Sequence, residues 1–337
     1  MTSPFTMQEP RRFATAATLA AALTFGLATQ GLAQVPEPQQ PPKQVRLVVP
    51  FAPGGAVDAL ARVLSQSFAE DLKQTVIVEN KPGAGGNLAA ELVAKSAPDG
   101  STILLGTNGT HATNAALFKS IPFDPVADFT PIGLAVSIPH VVVVNADLPI
   151  RSIAELIQYG KDKPDALLFG SAGNGSSLHL AGELFGSMAQ IQLRHVPYRG
   201  GAPAVIDLIA GRTSLMFGVV PLVLPHIKSG KLRALAVTGK NRITQLPDVP
   251  TVAEAGLPGY EATAWIGLLA PAKTPQPIVN AVNQGLRTAI TRSDVRKSLE
   301  AQGFEIDPGT PEDFAAFMRN ETAKWGEVVR RSGASLN

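Results

Sequence analysis

The strongest constraint on the fold is an alternation of short apolar strands with amphipathic helices, which begins at Val45 and continues into the last third of the chain. The segment 45–49 reads VRLVV, a pattern typical of a buried strand. After Gly55, apolar residues recur at intervals of three and four from Val57 to Phe68, which indicates a helix. Repeated strand–helix units predict an α/β fold whose mostly parallel sheet is flanked by helices.

The same reasoning assigns the remaining elements. Strands are predicted at 45–49, 75–78, 103–106, 141–144, 167–170, 193–196, 215–217, 232–238 and 262–269. Helices are predicted after residue 55 and at 88–95, 152–159, 176–188, 202–210 and 222–229, with two or three more near the C-terminus.

A chain of 337 residues exceeds the ~250 residues that a single core usually reaches, so two domains are expected. Composition stays uniform through 132–144 and again through 262–269, and both stretches look like strands. We therefore expect the chain to cross between two lobes twice. Residues 45–138 and 263–337 would form lobe 1, residues 139–262 would form lobe 2, and a ligand cleft would lie between them.

The N-terminal segment 1–33 has the pattern of a secretory signal peptide. Arg11 and Arg12 precede a 13-residue apolar run at 16–28, too short for the ~20 residues that a membrane helix needs. Gly31 and Ala33 then supply small residues before a cleavage site. An uncleaved membrane anchor is the alternative. The segment 34–44 is a Pro/Gln-rich lead-in, and the mature chain is expected to be a soluble, secreted protein.

Composition excludes several functions. There are no cysteines, so disulfides, cysteine nucleophiles and thiolate metal sites are ruled out. The net charge of +2 comes with no concentrated basic segment, which argues against nucleic-acid binding. The five histidines form no pair at helical spacing, and the sequence carries no dinucleotide or phosphate-loop motif. We predict neither a cofactor nor a metal.

Four glycine-rich loops follow predicted strands or lead into helices. They occupy residues 50–55, 80–87, 170–177 and 196–203. Glycine lets the backbone approach a ligand closely, and a helix start offers unpaired N–H groups with a partial positive charge. The loops therefore suggest a site that holds a carboxylate mainly through N–H and O–H donors. The competing interpretation is that they are ordinary turns.

Signatures of catalysis are scarce. Ser171, Ser176 and Ser177 all lack the flanking glycines of a nucleophile elbow. Ser177 with His179 is the pair that a hydrolase would need. Asp58 and Asp207 fall inside predicted helices, where solvation or capping is as plausible as a functional role.

Several strings of residues resemble the Bug-type periplasmic solute-binding proteins of tripartite tricarboxylate transporters. They are VPFAPGGAVD at 49–58, VENKPGAGGN at 78–87, VPYRG at 196–200 and GKLRALAVT at 230–238, with DVPT at 248–251 and EAG at 254–256. The resemblance spans nearly the whole chain from Val45 onward.

This resemblance implies a two-lobed clamshell of the periplasmic-binding-protein type, a non-catalytic role in the periplasm, and a small carboxylate ligand delivered to membrane permease subunits. A monomer is the default expectation for its oligomeric state. Two sets of residues would line the cleft. In lobe 1 they are Phe51, Gly55, Gly83, Ala84, Gly85, Gly86, Thr107 and Asn108, and in lobe 2 they are Ser171, Asn174, Ser176, Ser177, Tyr198, Gly200, Gly201 and Ala202.

The chain departs from the family pattern after Phe217, where Gly218 and Val219 replace an acidic or polar residue. This favours a ligand with an apolar or aromatic body. Two other functions stay open: a ligand-binding subunit of a sensory system, which genomic neighbours would distinguish, and a secreted hydrolase, which turnover of a bound acid would reveal.

Overall fold

The structure is a computed structural model that describes residues 44–72 and 74–336. The predicted signal peptide and all but the last residue of the lead-in lie outside the described residues. The strands are β1 (Gln44–Val49), β2 (Thr75–Asn80), β3 (Thr102–Thr107), β4 (Phe129–Asn145), β5 (Leu168–Ser171), β6 (Arg194–Pro197), β7 (Leu215–Val219), β8 (Leu232–Val237) and β9 (Thr263–Pro271).

The α-helices agree with the predicted positions to within a few residues at most ends. They are α1 (Ala56–Leu72), α2 (Asn87–Ala94), α3 (Asn114–Leu117), α4 (Ile153–Asp162), α5 (Ser177–Ala189), α6 (Gly201–Ile209), α7 (Val220–Lys228), α8 (Gln276–Thr291), α9 (Ser293–Ala301) and α10 (Pro311–Ser332). Among the described residues, no helix combines the length and apolarity that a membrane crossing requires.

The strands form one mixed sheet in the order β2-β1-β3-β9-β4-β7-β5-β6, with β8 paired to β4. The α/β class is confirmed. Parallel pairing joins β1 to β2 and β3, and β5 to β6 and β7. The sequence predicted a mostly parallel sheet, but β4 and β9 run antiparallel to each of their neighbours. Strand-to-strand direction cannot be read from hydrophobic patterns alone, which is why this mixture was missed.

Strand β4 is much longer than the predicted segment 141–144. Pro131 and Pro139 obscured it, because proline argues against a central strand. Here Pro131 lies at a register shift in the pairing with β9, and Pro139 is the last residue of that pairing. From His140 onward, β4 pairs instead with β7 and β8.

The point where β4 changes partners is held by the Thr238 hydroxyl, just after β8. The His140 N–H donates to Thr238 Oγ1 at 2.7 Å, and this hydroxyl in turn lies 2.6 Å from the Ala262 carbonyl. Ala262 directly precedes β9, so one buried threonine ties together both segments that the sequence predicted as crossings. The division into two lobes at 138/139 and 262/263 itself stays a prediction.

Helix α10 holds the region after β3 in place. The Glu321 carboxylate is buried and accepts hydrogen bonds from the indole N–H groups of Trp265 on β9, at 3.1 Å, and Trp325 on α10, at 2.7 Å. Thr322 donates from its hydroxyl to the His111 carbonyl at 2.8 Å. These contacts fix α10 against β9 and against the turn that follows β3.

Glu305 lies at the same change of partner. Its N–H and carbonyl both hydrogen-bond to Ser137 of β4, at 2.8 and 2.9 Å. Its Oε1 atom is buried and has no hydrogen-bond partner among the described residues. Burial, followed by the nearby charges of Glu261 and Asp307, raises the pKa of Glu305 to about 7, against the opposing effect of Lys240.

We predict that Glu305→Gln stabilises the protein at high pH. Because the folded-state pKa is raised from 4.5 to about 7, the native state favours the neutral carboxyl. The stability that the neutral Glu305 carboxyl contributes is fully present below pH 4.5. It is lost as the pH rises through about 7, by up to about 3 kcal/mol. Thermal melts at pH 4.5 and pH 8 check this. The Glu305→Gln variant should melt several degrees above the wild type only at pH 8, whereas Glu312→Gln, at an exposed position in the first turn of α10, should raise the melting temperature at neither pH. An equal shift at both pH values would contradict the assignment.

Candidate ligand-binding site

The loop after β1 is anchored by Asp58 in the first turn of α1. The Asp58 side chain is only 3% exposed and accepts hydrogen bonds from Arg62 Nε at 3.0 Å, the Gly54 N–H at 2.9 Å and Asn80 Nδ2 at 3.0 Å. These bonds, that of Arg62 foremost, lower the pKa of Asp58 to about 2. Asn80 also donates to the Phe51 carbonyl at 3.0 Å. Asp58 therefore fixes the loop that carries the predicted residues Phe51 and Gly55, both of which are exposed.

The loop after β2 is a tight turn in which four successive residues, 83–86, all have positive φ. Ala84 adopts φ 47°, a conformation uncommon for residues other than glycine. The Asn114 side-chain amide donates to the Gly85 carbonyl at 3.1 Å and to Asn87 Oδ1 at 2.7 Å. The predicted residues Gly83, Ala84, Gly85 and Gly86 are thus brought together on a turn that α3 supports.

Strand β3 ends at Thr107, and a π-helical turn (Gly109–Thr113) follows Asn108. Thr107 is buried, and its N–H donates to Thr110 Oγ1 at 3.0 Å. That hydroxyl lies 2.8 Å from His111 Nδ1, and complete burial lowers the pKa of His111 to about 3. Asn108 is partly exposed. Of the two predicted residues here, only Asn108 presents its side chain outward.

In the loop between β5 and α5, the predicted serine hydroxyls are engaged within the protein. Ser171 is fully buried, accepts from the Gly173 N–H at 3.0 Å, and its Oγ lies 2.6 Å from His195 Nε2. Ser176 caps α5 by accepting from the His179 N–H at 3.3 Å. Ser177 Oγ lies 3.0 Å from His140 Nε2. These hydroxyls shape the loop, whereas Asn174 is exposed.

The Ser177–His179 pair that a hydrolase would need does not form. His179 Nδ1 instead accepts from the Gly175 N–H at 3.1 Å, and its ring stacks on His195 at 3.8 Å. Burial, then His179, lowers the pKa of His195 to about 4, and burial lowers that of His140 to about 4. The two histidines that contact serines are therefore weak bases at neutral pH, unsuited to activating a nucleophile.

Tyr198, in the loop before α6, is also turned into the protein. Its hydroxyl donates to Asp207 Oδ2 at 2.8 Å, and Arg212 Nη1 binds the other oxygen of that carboxylate at 2.6 Å. Burial and the Asp207 carboxylate raise the pKa of Tyr198 to about 12. Asp207 is thus a partner of Tyr198. The predicted residues that remain available in this loop are Gly200, Gly201 and Ala202, at the start of α6.

The donors left at these loops are main-chain N–H groups. The first N–H groups of a helix have no intrahelical acceptor and carry partial positive charge. In α5 they include those of Ser177 and Leu178, and in α6 those of Gly201 and Ala202. The two helices follow the carboxyl ends of the parallel strands β5 and β6, so both helix starts lie at the same end of these strands. This arrangement can bind an anion without a charged side chain.

Gly175 brings the loop before α5 next to the elements that follow β3. A Cβ atom at Gly175 would lie 2.8 Å from Leu117 Cδ1 on α3, and φ is 74°. Only glycine satisfies both constraints without rearrangement. This contact places the loop before α5 beside α3, the helix whose Asn114 supports the turn at 83–86.

An apolar cavity of about 420 Å³ opens beside the starts of α5, α6 and α7. Its lining consists only of small or apolar residues: Ala172, Leu178, Gly201, Ala202, Val219, Pro221 and Leu222. The described residues contain no cluster of three or more histidine, aspartate or glutamate side chains that could hold a metal ion.

Sequence reasoning missed the residues that support these loops. His140, His195 and Asn114 act from strands or helices other than those they support, so no local pattern reveals them. Asp58 was noted as a residue of a predicted helix, but its bond to Asn80 on another strand could not be read from the local pattern.

Comparison with known proteins gives the family. The profile described as "Tripartite tricarboxylate transporter family receptor" matches residues 60–334. Protein BugT of Bordetella pertussis is 36% identical over 320 residues, which cover 94% of this chain and 98% of BugT.

Two solved structures are similar along nearly their whole length. The R. palustris protein Rpa4515, solved with adipate, has a TM-score of 0.72 and 38% identity, covering 87% of this chain and 98% of that one. MatC from Rhodopseudomonas palustris, with bound malate, has a TM-score of 0.68 and 36% identity, covering 85% and 98%. The chain therefore belongs to the receptor family of tripartite tricarboxylate transporters, which includes the Bug proteins and consists of periplasmic solute-binding receptors rather than enzymes.

Proposed function

We propose that this protein is a periplasmic receptor that captures a small carboxylate between two lobes, 45–138 with 263–337 and 139–262, and delivers it to the membrane subunits of a tripartite tricarboxylate transporter. The observation that carries the proposal is the pair of helix starts at α5 and α6, whose main-chain N–H groups lie at one sheet edge beside loops fixed by buried side chains. The family of the chain supports the transport role.

The donors at the two helix starts would supply part of the binding free energy that a receptor needs, and apolar contacts would supply the rest. A hydrogen bond to a charged group nets roughly 1.5–3 kcal/mol. Four donors from two helix starts would give on the order of 6–12 kcal/mol, and a micromolar complex needs about 8 kcal/mol after the costs of association. The donors are neutral, so the site attracts an anion without placing a competing buried cation beside it.

The residues predicted in the other lobe complete the site. The turn at 83–86 and Asn108 would face the ligand from the opposite side, and the loop bearing Phe51 would cover it. A ligand that contacts both lobes favours the closed form only through those shared contacts. Adipate and malate, bound by two related structures, are both small carboxylates. The apolar lining beside α6 favours a ligand with an apolar or aromatic body.

Delivery to a permease requires the receptor to be exported. A secretory signal peptide at 1–33 would place the protein in the periplasm, where it would act as a monomer. The nature of the site argues against the hydrolase alternative, since Ser171 and Ser177 contact histidines of lowered pKa.

We expect small carboxylates to stabilise the protein against heat. A ligand present at 100 times its Kd adds about 2.7 kcal/mol to the stability of the native state. This corresponds to a rise in melting temperature of roughly 4 °C for a protein of this size. Thermal shift with the protein purified after expression of the full chain checks this, with matched amines and alcohols as controls. No shift with any acid would count against the receptor function.

We predict that removing one main-chain donor weakens binding more than removing the neighbouring hydroxyl does. Ser177 is the first residue of α5, and Ser176 before it has φ −65° and ψ 155°, which a following proline accepts. Ser177→Pro deletes the N–H and should lower carboxylate affinity at least tenfold. Ser177→Ala keeps the N–H, loses the contact with His140, and should lower affinity about threefold. Isothermal titration calorimetry measures both variants.

Ser293→Pro is the matched control for this pair. Ser293 is the first residue of α9, and Arg292 before it is extended, with ψ 134°. The substitution therefore removes an N–H from the start of another helix and should leave affinity unchanged. Equal affinities for Ser177→Pro and Ser177→Ala would contradict the main-chain site.

A further inference from the structure

The apolar cavity beside α6 is continuous with the proposed donors. Leu178 contributes both an N–H in the first turn of α5 and a side chain in the cavity wall. Gly201 and Ala202 contribute in the same way from α6. A carboxylate held at these helix starts therefore has the rest of its molecule directed along an apolar wall that ends at Val219 and Leu222.

The cavity offers no polar side chain to a charged group. None of its lining residues carries a charged, amide or hydroxyl side chain. Ser171 and Tyr198, which lie in the same loops as Ala172 and Gly201, already use their hydroxyl groups within the protein. A second carboxylate at the end of the ligand would gain no donor from this open apolar wall, so it would stay in water and leave the wall uncovered.

The size of the cavity suits a small organic body. An apolar cavity of roughly 150 Å³ holds a benzene ring. At about 420 Å³, this one has room for a ring or a short alkyl chain. Gly201 keeps it open, because a Cβ atom there would lie 2.7 Å from Leu222 Cδ2.

We infer that the ligand is an acid with a single carboxylate and an apolar aliphatic or aromatic body, which this cavity accepts, and that the cavity rejects a second charged end. The inference rests on the proposed function, because it assumes that the carboxylate binds at the starts of α5 and α6. It distinguishes this receptor from relatives that hold adipate or malate, both of which are charged at two ends.

The test compares acids that differ in one property at a time. Isothermal titration calorimetry on the wild-type protein, purified after expression of the full chain, uses propionate, butyrate, pentanoate and hexanoate. Affinity should rise about three- to fourfold for each added methylene. Adipate has the same six carbons as hexanoate with a second carboxylate, and it should bind at least tenfold more weakly. This series needs no variant, so misfolding cannot affect it.

Variants then test whether the dependence of affinity on chain length arises in the cavity. Leu222→Asn introduces an amide into the wall and should lower hexanoate affinity at least tenfold while leaving propionate affinity within about threefold. Gly201→Ala should shift the preferred chain length to a shorter acid. Ile206→Asn is the matched control, because Ile206 lies on α6 at 63% exposure and outside the cavity. It should change neither affinity.

The outcomes separate the two proposals. Affinity that does not depend on chain length, or adipate that binds as tightly as hexanoate, overturns this inference and leaves the carboxylate receptor standing. A Leu222→Asn variant that binds hexanoate like the wild type also overturns it. Failure of all these acids, and of malate, to bind overturns the proposed function itself.

Discussion

The change of partner along β4 is the constraint on which the rest of the structure depends. At His140 the strand leaves β9 and joins β7 and β8, and the Thr238 hydroxyl locks this point to the segment that enters β9. The same residue reaches the ligand loop, because His140 Nε2 lies 3.0 Å from Ser177 Oγ at the start of α5. One buried histidine thus connects the backbone crossing to the proposed donors.

In the candidate site the polar side chains hold the loops in place, and the main-chain N–H groups are the donors that we propose for binding. Ser171, Ser176 and Tyr198 each point a hydroxyl at a partner within the protein. Glycines at the turns leave room for a ligand to approach the backbone, and the helix starts of α5 and α6 supply partial positive charge. Such a site binds a carboxylate through its shape and number of donors. The selectivity of such a site depends on the residues around the carboxylate. Beside α6 these residues form an apolar wall.

The sequence predicted the α/β class, most element positions and the four loops, because each depends on local periodicity or on glycine. It did not predict what depends on distant contacts. The full length of β4 was hidden by two prolines that the register of β9 accommodates. The π-helical turn after β3 is held by Thr322 of α10, over 200 residues away in sequence. The inward direction of Ser171 depends on His195 across a neighbouring strand. The sequence thus placed the serines and Tyr198 on loops between strands and helices, while the partners of their hydroxyls required the structure.

The most direct test of the central claim is a crystal structure of the protein grown with saturating hexanoate. The account predicts carboxylate oxygens about 2.7–3.2 Å from main-chain nitrogens at the starts of α5 and α6, among them Ser177, Leu178, Gly201 and Ala202, with the alkyl chain against Leu222. A carboxylate held instead by arginine or lysine side chains, or bound away from both helix starts, would contradict it.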